Sequence, residues 1–361
     1  MSNYRAGPRR DGRGFTLIEL MIALLLGTIL AGAAISVFLS SRQVYASTES
    51  LGRVQENARA AFELMSRDIR ESGGNACNSS LRPVNVLNNS SLYPYADFGG
   101  GLIGYSSSQD GIKFGSGARD RVSASIIGTG NYSEAIVLKS ATEGGMRVDA
   151  GNSSDVNINT FDPVPADWNN AIVMVCDPEH AAIFQATDVS GKGIKIQKKA
   201  SVTPGNATNC LAPGGNCPNG SDKRYAFGCT QGWWKGGTTL PNAPKGCMYE
   251  GSPPAIIARM RSISWYVGNG TTSGKSLYRR VDGPSATADE IAENVRSLAF
   301  EYLLDGSYLS ASAITTDEEW ARVAAVRIKL TFESDDKSAA INGVLLGREL
   351  STTVALRNRL Q

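Results

Sequence analysis

Histidine is almost absent: His180 is the only one in 361 residues. A triad base and the commonest zinc ligand are therefore nearly missing, and no site for metal-assisted or nucleophilic hydrolysis stands out. Net charge is also small, +2 from 36 basic and 34 acidic side chains. Such a balance sets up no broad field for drawing in nucleic acid or acidic substrates. The sequence has no internal repeat, no second long apolar run and no D-x-D-x-D-G calcium loop. Its carboxylates form no paired constellation of a recognisable catalytic kind. What is present is bulk: 42% apolar residues at low net charge exclude a disordered chain, and the length suffices for one large or two modest cores. Glycine is abundant at 39, and Asn, Ser and Gly crowd the middle, which predicts many short strands joined by turns.

The first forty residues divide sharply. Residues 1–14 carry Arg5, Arg9, Arg10 and Arg13 against one acid, Asp11, whereas residues 15–39 carry one charge, Glu19. The second stretch is long enough to cross a bilayer, and the upstream arginines predict a cytoplasmic N-terminus. A conventional signal peptide cut after Ala31-Gly32-Ala33 leaves apolar Ala34–Leu39 on the mature end and does not explain Glu19. A twin-arginine signal fits poorly, because Arg9-Arg10 runs into Asp-Gly-Arg. A plain anchor also leaves Glu19 unexplained, since a carboxylate at membrane depth costs about 2.5–3.5 kcal/mol.

The string Gly14-Phe15-Thr16-Leu17-Ile18-Glu19 resembles the class III signal peptide of type IV pilins and type II secretion pseudopilins. That resemblance implies cleavage by a prepilin peptidase after Gly14 and methylation of the new amine on Phe15. It also implies that Glu19 pairs with the N-terminal ammonium of a neighbouring subunit, which suits two charges that are each costly alone in an apolar medium.

Beyond the apolar run, residues 40–72 contain no proline and one glycine, Gly52. Val44, Leu51, Val54, Ala58, Ala61, Phe62, Met65 and Ile69 fall on one helical stripe. Glu49–Arg53, Glu56–Arg59 and Glu63–Arg67 are spaced for pairing on the other faces. Gly73-Gly74 is a plausible stop. One helix from Phe15 to about Ser72, about 85 Å long, is expected. After Gly74 the period changes to two. Strands are expected at Val122–Ile127, Ala135–Lys139, Ala171–Val175, Ala182–Ala186, Ile194–Gln197, Ile256–Val267, Leu277–Val281, Val295–Leu303, Val323–Phe332 and Leu350–Leu356. The periodicity thus predicts an α+β class: a long N-terminal helix, apolar in its first half, packed on a large and mainly antiparallel sheet head. The resemblance implies that this fold is type IV pilin-like. Its expected parts are a cleaved leader (1–14), a membrane or filament-core half (15–41) and a head (42–361) that includes the helix half 42–72.

Within this frame, several blocks resemble PilW-type minor pilins: Arg67–Gly74 followed by Cys77, Val175-Cys176-Asp177 with Ala182-Ile183-Phe184, Ser276–Arg279, Val295–Tyr302, Val323–Leu330 and Leu356–Arg359. The resemblance implies a subunit that joins other minor pilins and the major pilin, primes pilus assembly from the inner membrane, and sits at the tip, with a tip adhesin as a candidate partner. A J-type pseudopilin of a type II secretion tip shares the signal and a large head, and stands as the alternative. A competence pilus is a third reading without support from net charge, so no nucleic-acid partner is expected. A membrane-anchored enzyme is the remotest reading; no catalytic residue, cofactor or metal is assigned.

Six cysteines lie beyond the apolar run, hence in an oxidising space: Cys77, Cys176, Cys210, Cys217, Cys229 and Cys247. They allow fifteen pairings, which spacing alone does not resolve. The resemblance favours Cys77–Cys176, because both fall in PilW-type blocks; the other four would staple a Pro/Gly/Asn-rich insertion, 203–250. Their spacings (C-x6-C, C-x11-C, C-x17-C) contain no close pair for zinc. Gly99, Gly101 and Gly104 match G-x-G-x-x-G literally, but no strand–helix unit surrounds them, and a loop is expected. His180 follows Asp177-Pro178 in an expected turn. Trp233-Trp234 in the insertion fits either a small core under the loop, the favoured reading, or an exposed partner contact.

Overall fold

The computed structural model describes residues 15–74, 76–77, 83–90, 93–107, 133–141, 145–152, 157–177, 180–197, 202–207, 211, 255–271, 274–281, 287–333 and 347–359. Gly14, the expected strand Val122–Ile127, Trp233, Trp234, Cys210, Cys217, Cys229 and Cys247 lie outside the described residues. One helix, α1 (Leu17–Glu71), matches the expected span and runs unbroken through Gly27, Gly32 and Gly52. The chain divides into two compact units, the first holding α1 up to Arg53 and the second α1 from Val54 onward with all the described strands.

In the first unit α1 exposes its apolar residues from Leu17 to Leu39. It is long and apolar enough to cross a membrane. Hydroxyls on this stretch turn back onto their own backbone: Thr28 donates to the Leu25 carbonyl (2.8 Å) and Ser36 to that of Ala33 (3.0 Å). That satisfies each donor without water. Glu49 and Arg53 pair at 3.6 Å on the exposed surface.

The second unit begins with the stripe that the helical period predicted. Val54, Ala58, Ala61, Met65 and Ile69 are buried in one core with residues of two sheets. Small side chains at 58 and 61 let the helix approach closely, while Met65 and Ile69 fill the space nearer its end. On the polar side Arg67 turns to Glu71 (3.2 Å), where spacing pointed to Glu63.

The strands, in chain order, are β1 (Val84–Asn85), β2 (Leu102–Tyr105), β3 (Ala135–Ala141), β4 (Met146–Asn152), β5 (Asn157–Thr160) and β6 (Ile172–Cys176). Next come β7 (Ala181–Gln185), β8 (Asp188–Ser190), β9 (Gly193–Lys195), β10 (Ile256–Asn269) and β11 (Lys275–Val281). The last are β12 (Ala288–Glu293), β13 (Val295–Leu304), β14 (Ser307–Leu309), β15 (Ala325–Glu333) and β16 (Gly347–Ala355), with a short helix α2 (Asp317–Arg322) before β15. Among the described strands pairing is antiparallel except for β1 on β7.

Strand β10 organises the larger sheet. Its first residues, Ile256–Arg259, pair with β6, and Met260–Trp265 pair with β3. Its far end pairs with β11 from Ile263 to Asn269. A second sheet has the order β14-β13-β15-β16. Where β13 extends past short β14, its edge is closed by a side chain: the Phe300 amide donates to Glu134 Oε2 at 2.7 Å, and the Glu134 amide donates to the Leu298 carbonyl at 2.7 Å.

Gly99 and Gly104 have a packing role. A Cβ on Gly104 would sit 2.1 Å from the Tyr302 hydroxyl oxygen, and one on Gly99 would sit 2.2 Å from the Asp317 carboxyl carbon. The expected loop is corrected in part, because Gly104 lies inside β2.

Candidate functional site

Two sets of residues carry the features that the sequence singled out. The first is the start of α1. Thr16 Oγ1 accepts the Glu19 amide (3.3 Å), while Glu19 Oε2 accepts both the Thr16 amide (3.1 Å) and the Thr16 hydroxyl (2.9 Å). This reciprocal capping box satisfies donors that a helix start otherwise leaves open, and it places an anion at the positive end of the dipole. The Thr-x-x-Glu spacing was legible in the sequence, but only the carboxylate was singled out there. In the single chain Glu19 thus has a ligand two residues from the expected cleavage site. The same device recurs at α2, where Thr316 and Glu319 cap each other.

The second set closes the C-terminal end of α1. Asp68 is the one acid on the buried side, 4% exposed, and three donors converge on it. Arg279 on β11 forks onto it, Nε to Oδ2 at 2.7 Å and Nη2 to Oδ1 at 3.0 Å. Trp265 on β10 donates its indole Nε1–H to Oδ2 at 2.9 Å. A two-pronged guanidinium contact fixes direction as well as distance.

Four residues beyond Asp68, Ser72 donates its hydroxyl to the Gly101 carbonyl (2.8 Å), and Asn358 reaches the carbonyls of Glu71 (3.5 Å) and Ser72 (3.3 Å). Orphan carbonyls at the helix end are thereby satisfied from distant parts of the chain. Gly73 turns the chain at φ +76°, and its amide joins the Lys139 carbonyl at 2.8 Å. A Cβ on Gly74 would meet the Asn358 amide nitrogen at 2.9 Å. The Cys77–Cys176 disulfide then ties this exit to β6, across a sequence separation of 99. Blocks far apart in sequence, 67–74, 276–279 and 356–359, therefore meet at one place. Sequence reading named these blocks without their mutual contacts, and Trp265 and Glu134 were missed.

One group beside this junction works against stability. The Lys139 amine is fully buried, 5.6 Å from the Phe98 ring centre, and has no hydrogen-bond acceptor among the described residues. Burial pushes it down to about 8, with the charges of Asp97 and Asp317 opposing the shift. The folded state thus gives up this proton before the unfolded state does. The penalty is complete below pH 8 and is relieved between pH 8 and the ordinary lysine range. Replacing Lys139 by Met should therefore stabilise the protein at pH 7 by up to about 3 kcal/mol. In denaturant titrations at several pH values, the gap to the wild type should shrink above pH 8; a destabilised variant would refute the reading.

Two sequence families match the chain. The prokaryotic N-terminal methylation motif matches residues 9–35, which include Gly14, Phe15 and Glu19. Type IV Pilus-assembly protein W matches residues 264–354, from the Trp265 end of β10 through most of β16. Together with the apolar helix and the antiparallel head, these matches support a PilW-type minor pilin of the type IV pilus. Both are families of structural assembly proteins rather than enzymes. No curated protein and no solved structure matches the chain.

Proposed function

We propose that the protein is a minor pilin that takes part in initiating type IV pilus assembly and in the tip complex, supporting pilus biogenesis, twitching motility and adhesion. The observation that carries this reading is the presence on one chain of the methylation motif at 9–35 and the PilW match at 264–354. In this reading the leader 1–14 stays cytoplasmic until a prepilin peptidase cuts after Gly14 and methylates Phe15. Residues 15–41 hold the subunit in the inner membrane and later in the filament core, and the head 42–361, with its insertion 203–250, stays periplasmic until it reaches the cell surface. Partners are the peptidase, other minor pilins, the major pilin and a tip adhesin. Catalysis forms no part of the role.

Glu19 is the assembly residue in this account. Its carboxylate is occupied by Thr16 in the isolated chain and would be handed to the ammonium of a neighbour, which replaces hydrogen bonds to a hydroxyl and an amide with an ion pair in an apolar surrounding. Glu19→Ala should leave membrane insertion intact, because a costly group is removed. Incorporation into pili should fall. Immunoblots of sheared pili against membrane fractions read both quantities, and wild-type incorporation would make the carboxylate dispensable. The role as a whole is tested by deleting the gene and scoring surface pili, twitching and secreted enzymes in parallel. Loss of pili and twitching with normal secretion supports it; the converse supports a pseudopilin.

A further inference from the structure

Sheet edges invite foreign strands, and natural proteins blunt them with short strands, charge or bulges. Most edges of this head are blunted. β1, β8 and β14 are two or three residues long and β2 four. β12 carries Asp289, Glu290 and Glu293 and faces a register shift at Leu277/Tyr278. β16 is different. It pairs with β15 over nine consecutive positions without a shift, contains neither lysine nor proline, and is uncharged from Leu350 to Ala355.

The direction of its free amides follows from the ladder. The Leu356 amide donates to the Ala324 carbonyl at 2.9 Å. Antiparallel alternation then turns the amides of Val354, Thr352 and Leu350 towards β15, and those of Ala355, Thr353, Ser351 and Glu349 outward. These four residues are exposed, and among the described residues no strand pairs with that side.

A row of amides and carbonyls at strand spacing is complementary to an extended backbone. We propose that the outer edge of β16 accepts a β-strand donated by a different chain, extending the sheet β14-β13-β15-β16 by one strand. The donor should place apolar side chains beside Leu350, Thr352 and Val354, polar ones on the other face, and a cation beside Glu349. A second copy does not supply that cation: antiparallel self-pairing sets Ser351, Thr353, Ala355 or a second Glu349 opposite Glu349. The inference deepens the reading as an assembly subunit, and its test uses purified protein so that either can fail alone.

The probe is a fluorescent, end-blocked peptide with the β15 sequence Ala325–Glu333, which has the required alternation and already pairs with the inner edge of β16. It is titrated against the full-length protein in detergent and followed by anisotropy. Saturable binding is expected. Ser351→Pro removes an outward donor without touching the β15 ladder, and it should weaken binding about tenfold or more with an unchanged unfolding midpoint. The same peptide N-methylated at alternate amides keeps every side chain and should also bind about tenfold more weakly, which tests the proposal even if the proline variant misfolds. No saturable binding, or equal binding of the methylated peptide, overturns the proposal. A wild-type dimer in sedimentation that Ser351→Pro abolishes also overturns it, in favour of a second copy.

Discussion

Asp68→Ala should lower the unfolding free energy of the protein by about 3–5 kcal/mol. The size follows from what the substitution leaves behind. Arg279 is only 17% exposed, and among the described residues its fork has no other partner of comparable geometry. Removing the carboxylate therefore strands a guanidinium in a poorly hydrated place and orphans the Trp265 indole N–H as well. The intact pair is not in itself a large source of stability, because desolvating two charges offsets much of their attraction. The two effects are separable. Asp68→Leu combined with Arg279→Met should recover most of the loss of the single change, since no unpaired charge remains. Urea titrations followed by tryptophan fluorescence measure all three proteins. A single change costing under about 1 kcal/mol would show that the junction is not held by this contact.

Removing the Cys77–Cys176 bridge should cost about as much by a different route. Its loop, a sequence separation of 99, restricts the unfolded chain, and in the chain-entropy account that is worth about 4–5 kcal/mol. Cys77→Ser with Cys176→Ser should lower the denaturation midpoint accordingly. The helix end should remain in place, since Ser72, Gly73 and Asn358 hold it independently. Non-reducing peptide mapping provides the covalent check. Cys77 linked to any of Cys210, Cys217, Cys229 or Cys247 would contradict the connectivity.

Legibility in the sequence tracked the strength of periodic signal. The helix was readable almost to the residue, because an apolar run and a three-and-four stripe continue one another without proline and Gly73 supplies a left-handed stop. β10, β13, β15 and β16 were readable from β-branched alternation. β12 (Ala288–Glu293) was not, since its composition favours a helix and only pairing with β11 makes it a strand. β2 hid among glycines whose purpose, room for Tyr302 and the residues around α2, exists only in three dimensions. α2 itself was announced by Thr316-x-x-Glu319 and overlooked. For the candidate site, residue types were visible and partners were not. An aspartate on an apolar stripe marks a buried contact, but contacts to Arg279 and Trp265 bridge about two hundred residues, which no local pattern encodes.

The central claim is that this chain is made as a prepilin and enters a pilus with Phe15 first. Mass spectrometry of the N-terminal peptide, taken from sheared surface pili and from the inner membrane of a peptidase-deficient strain, tests it most directly. Mature protein in the pilus fraction should begin at N-methylated Phe15, and the peptidase-deficient membrane should hold a precursor that still carries residues 1–14. A mature N-terminus near Ala34, or full-length precursor in pili, would contradict the account.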